Sequence, residues 1–370
     1  MAGPVVIAAG GTGGHIFPAQ SLAQELAKRG RRVVLMTDDR GQNYAQAFPK
    51  AEIVTIKSAT FANHGLVGKG LAFGRLVLGA FEAYGALGRL KPCVVVGFGG
   101  YPALPTMFAA ARRGLPSVVH EQNAVLGRVN RWLAPAVTRI ASSFPRFVNL
   151  DPLLAPRVTM TGNPVRPAVL EKRTAFAGPG PDARFNLLVF GGSQGARVFS
   201  TLLPDAIAKL PEALRLRLDL TQQCRPEDVE AARARYAAMG LKPTIASFFG
   251  DMGARLAAAH LVIGRAGAST VTELCVVGRP AILVPYPFAM DDHQTANARE
   301  MAEAGAAWAF TEKGLTGDVL AEKIAELARN PTLLEAAAAK ALSLGRPDAA
   351  ARLADLVEEV GGLRAASSLL

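Results

Sequence analysis

The chain has 370 residues, half of them hydrophobic, with 41 Lys+Arg against 30 Asp+Glu and a formal net charge of +11. That length suggests two domains, and so apolar a composition excludes a disordered or low-complexity chain. The three cysteines, Cys93, Cys224 and Cys275, lie far apart with no CxxC pair, which argues against a disulfide framework or a cysteine zinc site and fits a reducing cytosol.

The N-terminus lacks the basic region of a secretory signal and enters a strand at once. "VVIAA" (5–9) leads into the glycine-rich turn "GGTGGH" (10–15) and an amphipathic stretch ending at "AKRG"; "RRVVLMT", "CVVVGF", "PSVVH" and "VTRIAS" continue the series. These runs are short, Val/Ile-rich and not alternating, as parallel strands covered on both faces should be. The pattern is a βαβ series, and the fold class is α/β, doubly wound. The opening turn only partly matches the dinucleotide fingerprint GxGxxG, because Ile16 replaces the third glycine, although Asp38 and Asp39 end the second strand. It also lacks the lysine of a P-loop. What remains is a glycine turn feeding a helix N-terminus, whose amides attract an anion. His15 falls in the first helical turn, where the dipole disfavours imidazolium. It is either a capping or packing residue or a neutral base.

Residues 66–92, "LVGKGLAFGRLVLGAFEAYGALGRLKP", are apolar on more than one face but too short and too interrupted by Arg75, Glu82 and glycines to span a bilayer. They form either a buried helix or an exposed apolar patch lying in an anionic membrane surface. That patch would use Leu71, Phe73, Leu76 and Val77, ringed by Lys69, Arg75, Arg89 and Lys91. Charge is one-sided: residues 1–165 hold 18 Lys+Arg against 7 Asp+Glu, a net +11, and residues 166–370 hold 23 of each. A membrane, a nucleic acid, a phosphorylated substrate or a generally basic proteome would each account for it.

The proline- and glycine-rich stretch at 159–184 reads as a linker. Domains are expected at 1–163 and 164–345, followed by a helix within 346–370. "FNLLVFGGSQGA" restarts the strand, turn and helix pattern, and "LRLRLDL", "LVIG", "AILVPY" and "AAWAF" are further strands before an alanine-rich helical tail from 316. Two more anion sites appear. One is "GGSQGA", with Ser193 and Gln194. The other is "GRAGASTVTEL" (264–274), where Gly267 and Ala268 admit a ligand to the backbone while Ser269 and Thr270 can cap the helix and donate to phosphate. Glu273 either accepts from a ribose diol or complements the helix dipole. "DDHQTANA" (291–298) brings His293, Gln294 and Asn297 within roughly one helical turn, able to read sugar hydroxyls. Its Asp-Asp-His run is a weak metal site, since adjacent side chains point apart. Two nucleotide-type domains, one with a ribose-reading acid and one with a basic apolar surface, suggest transfer from a nucleotide donor.

"GGTGGH", "GFGGY", "HEQN", "TGNPVR", "GGSQGA", "RAGASTVTE" and "HQTANA" occur in the order seen in the bacterial MurG family of glycosyltransferases, and the resemblance runs from Val5 to about Gly305. It implies a GT-B fold, with two Rossmann-like doubly wound domains facing a central cleft and the last helix returning to the first domain. It also implies an inverting hexosyltransferase. The enzyme would move N-acetylglucosamine from UDP-N-acetylglucosamine to the C4 hydroxyl of undecaprenyl-diphosphate-linked muramoyl-pentapeptide, on the cytoplasmic face of the inner membrane. It would need no cofactor or obligatory metal and would bind no nucleic acid; other cell-wall synthesis proteins are expected partners.

By the same resemblance, backbone near Phe249 reads the uracil and Glu273 holds the ribose. Arg166, Ser193, Gln194, Ala268, Ser269 and Thr270 surround the diphosphate, and Asn123, His293, Gln294 and Asn297 address the sugar. The turns bearing Gly11, Thr12, Gly13 and Gly14, and bearing Gly99 and Gly100, hold the acceptor diphosphate. His15, Tyr101, Glu121 and Asn130 line the acceptor side, with His15 the first choice for the base and Glu121 the alternative. The rival readings are another UDP-sugar transferase, a UDP-sugar epimerase, and a non-enzymatic nucleotide-binding membrane scaffold.

Overall fold

The strands of a first series, β1 (Val5–Ala8), β2 (Val33–Thr37), β3 (Glu52–Thr55), β4 (Val94–Gly97), β5 (Ser117–Glu121), β6 (Arg139–Ser142) and β7 (Val158–Met160), form one sheet in the order β3-β2-β1-β4-β5-β6-β7. A second series, β8 (Phe185–Phe190), β9 (Leu218–Gln223), β10 (Thr244–Ala246), β11 (Leu261–Gly264), β12 (Ala281–Leu283) and β13 (Ala307–Ala309), forms another in the order β10-β9-β8-β11-β12-β13. Every pairing is parallel. This computed structural model describes residues 3–39, 48–59, 66–180, 182–192 and 197–363.

Burial explains the sequence texture. Val5–Ala8 and Val94–Val96 are at most 1% exposed, so both faces of the central strands are apolar. The strands the apolar runs did not announce, β3, β7 and β10, are half-exposed sheet edges bearing Glu52, Thr159 and Thr244. β7 occupies the start of the stretch expected to be linker, because its residues pair with β6. In "LRLRLDL" the strand begins only at Leu218, and Glu212–Arg217 is a short helix.

Both sheets place their first strand third and step outward on either side, the doubly wound order that opens ligand crevices at the carboxyl ends of the strands where the winding reverses. Those ends are β1/β4 in one sheet and β8/β11 in the other.

The chain divides into two compact units, Met1–Arg166 with Pro347–Leu370, and Pro167–Arg346. The first boundary falls after Arg166 rather than 163 because this segment is tied to the first unit: Ser21 Oγ donates to the Val165 carbonyl. Ser21 lies in α1 (Gly13–Lys28). The terminal helix Ala349–Val360 also belongs to the first unit. Its Leu353, Ala354, Leu356 and Val357 share a core with Val5, Ile7, Val94 and α1's Leu22 and Leu26. Arg29 pairs with Glu25, Asp355 and Glu358, and Arg31 with Glu358. These pairs are partly exposed, so they set the register of the two helices while apolar burial supplies most of the attachment.

α2 (Leu66–Leu90) is the 66–92 stretch, and one face of it is core. Ala72, Leu76, Gly79, Ala83, Ala86 and Leu87 are buried at helical spacing. Leu71, Phe73 and Val77 are exposed, as are Leu78, Phe81 and Tyr84, which the sequence reading left out. Leu76, expected in the patch, faces the core instead, one turn from Ala72 on the buried stripe. Arg75 is exposed; the side chain of Lys69 lies outside the described residues. Among the described residues no helix is long and apolar enough to cross a membrane.

Candidate functional site

In the first unit, two strand-to-helix turns converge. β1 runs into Gly10–Thr12, and Thr12 is the N-cap of α1 without a side-chain cap bond. The amides of His15 and Ile16 both donate to the Thr12 carbonyl at 3.1 Å. Gly13 is buried, Gly11 and His15 are half-buried, and Thr12 and Gly14 are exposed. β4 runs into Gly99 and Gly100, with φ of 81° and 70°, which open α3 (Gly100–Arg112). Glycine adopts such positive φ values without the Cβ penalty that other residues meet. Space favours it too: a Cβ on Gly100 would stand 3.2 Å from His15 Cε1, and one on Gly99 would stand 3.1 Å from Asn130 Nδ2. The turn is thus pressed between the His15 ring and Asn130. Tyr101, half-buried, follows in the first turn of α3, and its carbonyl accepts from Ser58 Oγ.

Glu121 ends β5 with 3% exposure. Its Oε1 accepts from Asn123 N and Asn123 Nδ2, both at 3.1 Å, and its Oε2 accepts from Gly127 N at 3.0 Å and Asn130 Nδ2 at 2.9 Å. Four N–H donors fill the capacity of a carboxylate. Glu121 is thereby the anchor of Asn123 and Asn130. Asn130 lies on α4 (Arg128–Leu133), is 2% exposed, and also donates to the His120 carbonyl at 3.2 Å. It shapes the turn from within, and its Oδ1 is buried with no partner among the described residues.

His120 and Gln122, quoted only as part of a motif, prove central. His120 is wholly buried; burial pushes its imidazole down to about 4, the Gly162 carbonyl opposes this, and nearby His15 adds to the lowering. The available signal was polar side chains at 120–122 directly continuing the apolar run of β5. Arg166, expected among donor residues, is half-buried in the first unit with its guanidinium 4.6 Å over the ring of Phe17 on α1.

In the second unit, β11 runs into Gly267, the N-cap of the helix Ala268–Val277. Ser269 and Thr270 do not cap it, contrary to expectation: the cap position is two to three residues earlier, and the buried Ser269 Oγ has no partner among the described residues. Glu273 is 7% exposed in the second turn, beyond the reach of the amide end, so complementing the dipole does not explain it. β12 leads to Asp291 and Asp292, both left-handed, and the helix His293–Glu303.

Gln294 Oε1 accepts from Tyr286 N at 2.9 Å, and His293 Nδ1 lies 2.7 Å from the Met290 carbonyl, so Nδ1 carries the proton. Asn297 is fully buried and donates to the Ala266 carbonyl at 3.0 Å. From its inward helical position it braces the glycine turn. Phe249 is buried with the Arg255 guanidinium 4.2 Å over its ring. Arg265, not singled out from sequence, donates to the Val284 and Pro285 carbonyls, pairs with Glu312, and holds the exit of β12. Ser193 and Gln194 lie outside the described residues. Among the described residues no group of three His, Cys, Asp or Glu could hold a metal ion.

Residues 5–142 match the glycosyltransferase family 28 N-terminal domain, and residues 186–353 match the glycosyltransferase family 28 C-terminal domain. The chain is 52% identical, over 97% of its length and 95% of the relative's, to the UDP-N-acetylglucosamine–N-acetylmuramyl-(pentapeptide) pyrophosphoryl-undecaprenol N-acetylglucosamine transferase of Rhodospirillum centenum. It is 50% identical, over 99% of its length and 97% of the relative's, to the enzyme of that name from Mesorhizobium japonicum. The crystal structure of Acinetobacter baumannii MurG superposes with a TM-score of 0.79 at 33% identity, covering 96% of this chain and 99% of that one.

Proposed function

This chain belongs to the MurG family of N-acetylglucosamine transferases within glycosyltransferase family 28, and from that membership we infer its reaction. It is a GT-B hexosyltransferase that moves N-acetylglucosamine from UDP-N-acetylglucosamine to the lipid-linked muramoyl-pentapeptide of peptidoglycan synthesis. Identity of about half the residues over nearly the whole chain carries this reading over an epimerase or a scaffold.

The chemistry is an inverting displacement. The acceptor C4 oxygen forms a bond to the anomeric carbon, the bond from that carbon to the UDP oxygen breaks, and the hydroxyl proton passes to a base. His15 is that base, supported by its half-exposed place at the mouth of two anion-seeking turns and by the saturation of Glu121. The acceptor diphosphate rests on the turns of Gly11–Gly14 and Gly99–Gly100, where helix amides and dipoles favour an anion, with Tyr101 beside it. In the second unit the uncapped amides of Ala268, Ser269 and Thr270 receive the donor diphosphate and take up the charge that develops on UDP. Arg166 assists, as do Ser193 and Gln194. Glu273 accepts from the ribose, backbone at Phe249 reads the uracil, and Asn123, His293 and Gln294 bind the sugar. These amides and Arg166 supply the charge that a divalent ion would otherwise provide.

The exposed face of α2, with Leu71, Phe73, Val77, Leu78, Phe81 and Tyr84 beside Arg75 and Arg89, lies on the anionic cytoplasmic face of the inner membrane, where the lipid acceptor is found. The deciding experiment is transfer from radiolabelled UDP-N-acetylglucosamine to an acceptor analogue, with and without EDTA. Label in the disaccharide-lipid, unaffected by EDTA, is expected. Free UDP alone, or a changed sugar, would overturn the assignment.

A further inference from the structure

His120 is a wholly buried titratable side chain that the transfer chemistry does not use. Its Nε2 lies 3.1 Å from the Gly162 carbonyl and its Nδ1 lies 3.0 Å from Gln122 Nε2. Gln122 Nε2 is also 3.1 Å from the carbonyls of Phe98 and His120. Turning that amide over would set its oxygen against two carbonyl oxygens, so the nitrogen is the donor. His120 Nδ1 must then accept, and the ring proton resides on Nε2, donated to Gly162. The two Gln122 N–H bonds are shared among His120 Nδ1 and the carbonyls of Phe98 and His120; the neutral Nε2–H tautomer is the one that fits them, because protonating Nδ1 would oppose two hydrogen-bond donors.

The two ends of this brace matter. Phe98 immediately precedes the left-handed pair Gly99–Gly100, where a Cβ on Gly100 would crowd the His15 ring, and the Phe98 ring packs against His120 at 5.2 Å. Gly162 begins the short segment that ends at Arg166. We propose that His120 and Gln122 form a neutral hydrogen-bonded brace that fixes the Phe98–Gly99 peptide against Gly162, and that His120 is thereby a positioning residue for the acceptor side of the transfer. The proposal rests on reading the Gly99–Gly100 turn as part of the acceptor site. The brace contacts neither substrate. It holds the turn against which the base is seated, and a misplacement on the order of 1 Å there can cost up to about 10²-fold in rate.

The test uses the full chain. It has five histidines, so selective 15N-histidine labelling gives five imidazole pairs, with His120 assigned from His120→Gln or by elimination using single variants of the other four. The wild-type ring should be a non-titrating Nε2–H tautomer from pH 8 to 5.5. An Nδ1–H tautomer or an imidazolium in that range overturns the brace.

Kinetically, His120→Ala should lower kcat/KM for the acceptor by about 30-fold with UDP binding unchanged within about twofold. His120→Gln retains a donor toward Gly162, and His120→Asn retains an acceptor toward Gln122; each should recover part of the loss. Full acceptor kinetics in folded His120→Ala, or an equal loss of UDP binding, would refute the positioning role. Gly100→Ala separates this from the reading beneath it. If that variant leaves acceptor kinetics untouched, the acceptor assignment of the turn is wrong. If it impairs them while the His120 variants do not, only the brace is wrong.

Discussion

Replacing Glu121 by glutamine distinguishes an anchoring carboxylate from a catalytic base. The carboxylate accepts two N–H bonds on each oxygen, from Asn123 twice, Gly127 and Asn130. Glutamine retains one accepting oxygen, but its amide group must face the other two donors. Two bonds to a buried charged group are lost, each worth about 1.5–3 kcal/mol net, and relaxation recovers part, so a cost of about 3 kcal/mol is expected. For a unit of this size that lowers its Tm by roughly 10 °C. The two units need not unfold together, so calorimetry should follow the first unit's transition beside kcat at saturating donor. Lowered Tm together with a reduced kcat, as Asn130 and the turn lose their anchor, is the anticipated pair of results. An unchanged Tm with a rate loss near 10³-fold would mean that Glu121 carries the proton and that the case for His15 is mistaken.

His15→Ala should reduce kcat by roughly 10²-fold or more with donor affinity nearly unchanged; collapse of UDP-N-acetylglucosamine binding would make His15 structural. Glu273→Ala should weaken donor binding by about tenfold, as expected for a lost hydrogen bond to a charged group, and an unaltered dissociation constant by calorimetry would contradict the ribose assignment. His120 is neutral in the folded chain down to about 4 against an ordinary 6.5, so the unfolded chain binds the extra proton between those values. Stability is therefore whole above pH 6.5 and is lost as pH falls toward 4, by about 3 kcal/mol from this residue; a wild-type Tm–pH slope no steeper than that of His120→Gln would argue against it. Flotation with anionic liposomes should weaken with salt and with neutralisation of Arg75 and Arg89, and binding indifferent to both would exclude an electrostatic contribution to the α2 surface.

Much of the site was legible because glycine turns and apolar runs are local signals. The Gly10–Gly14, Gly99–Gly100 and Gly264–Ala268 turns follow strands in the structure as the pattern required. Roles that depend on what lies opposite were not legible. Glu121 looked like a free acid until Asn123, Gly127 and Asn130 were seen to converge on it from positions two to nine residues away. Asn297 shared a helical turn with Gln294, but only packing showed that it points to Ala266. The edge strands β3, β7 and β10 escaped notice because a strand with a solvated side needs no apolar run.

The sequence by itself determined two α/β series, their glycine turns and the family, since each is written in residue type and spacing along the chain. The tertiary structure decided which face of α2 is exposed, that the terminal helix packs with α1, that Arg166 lies with the first unit, and that His120 and Glu121 are bound by their neighbours. Those outcomes depend on burial and on hydrogen-bond partners brought from distant positions, which no local pattern encodes.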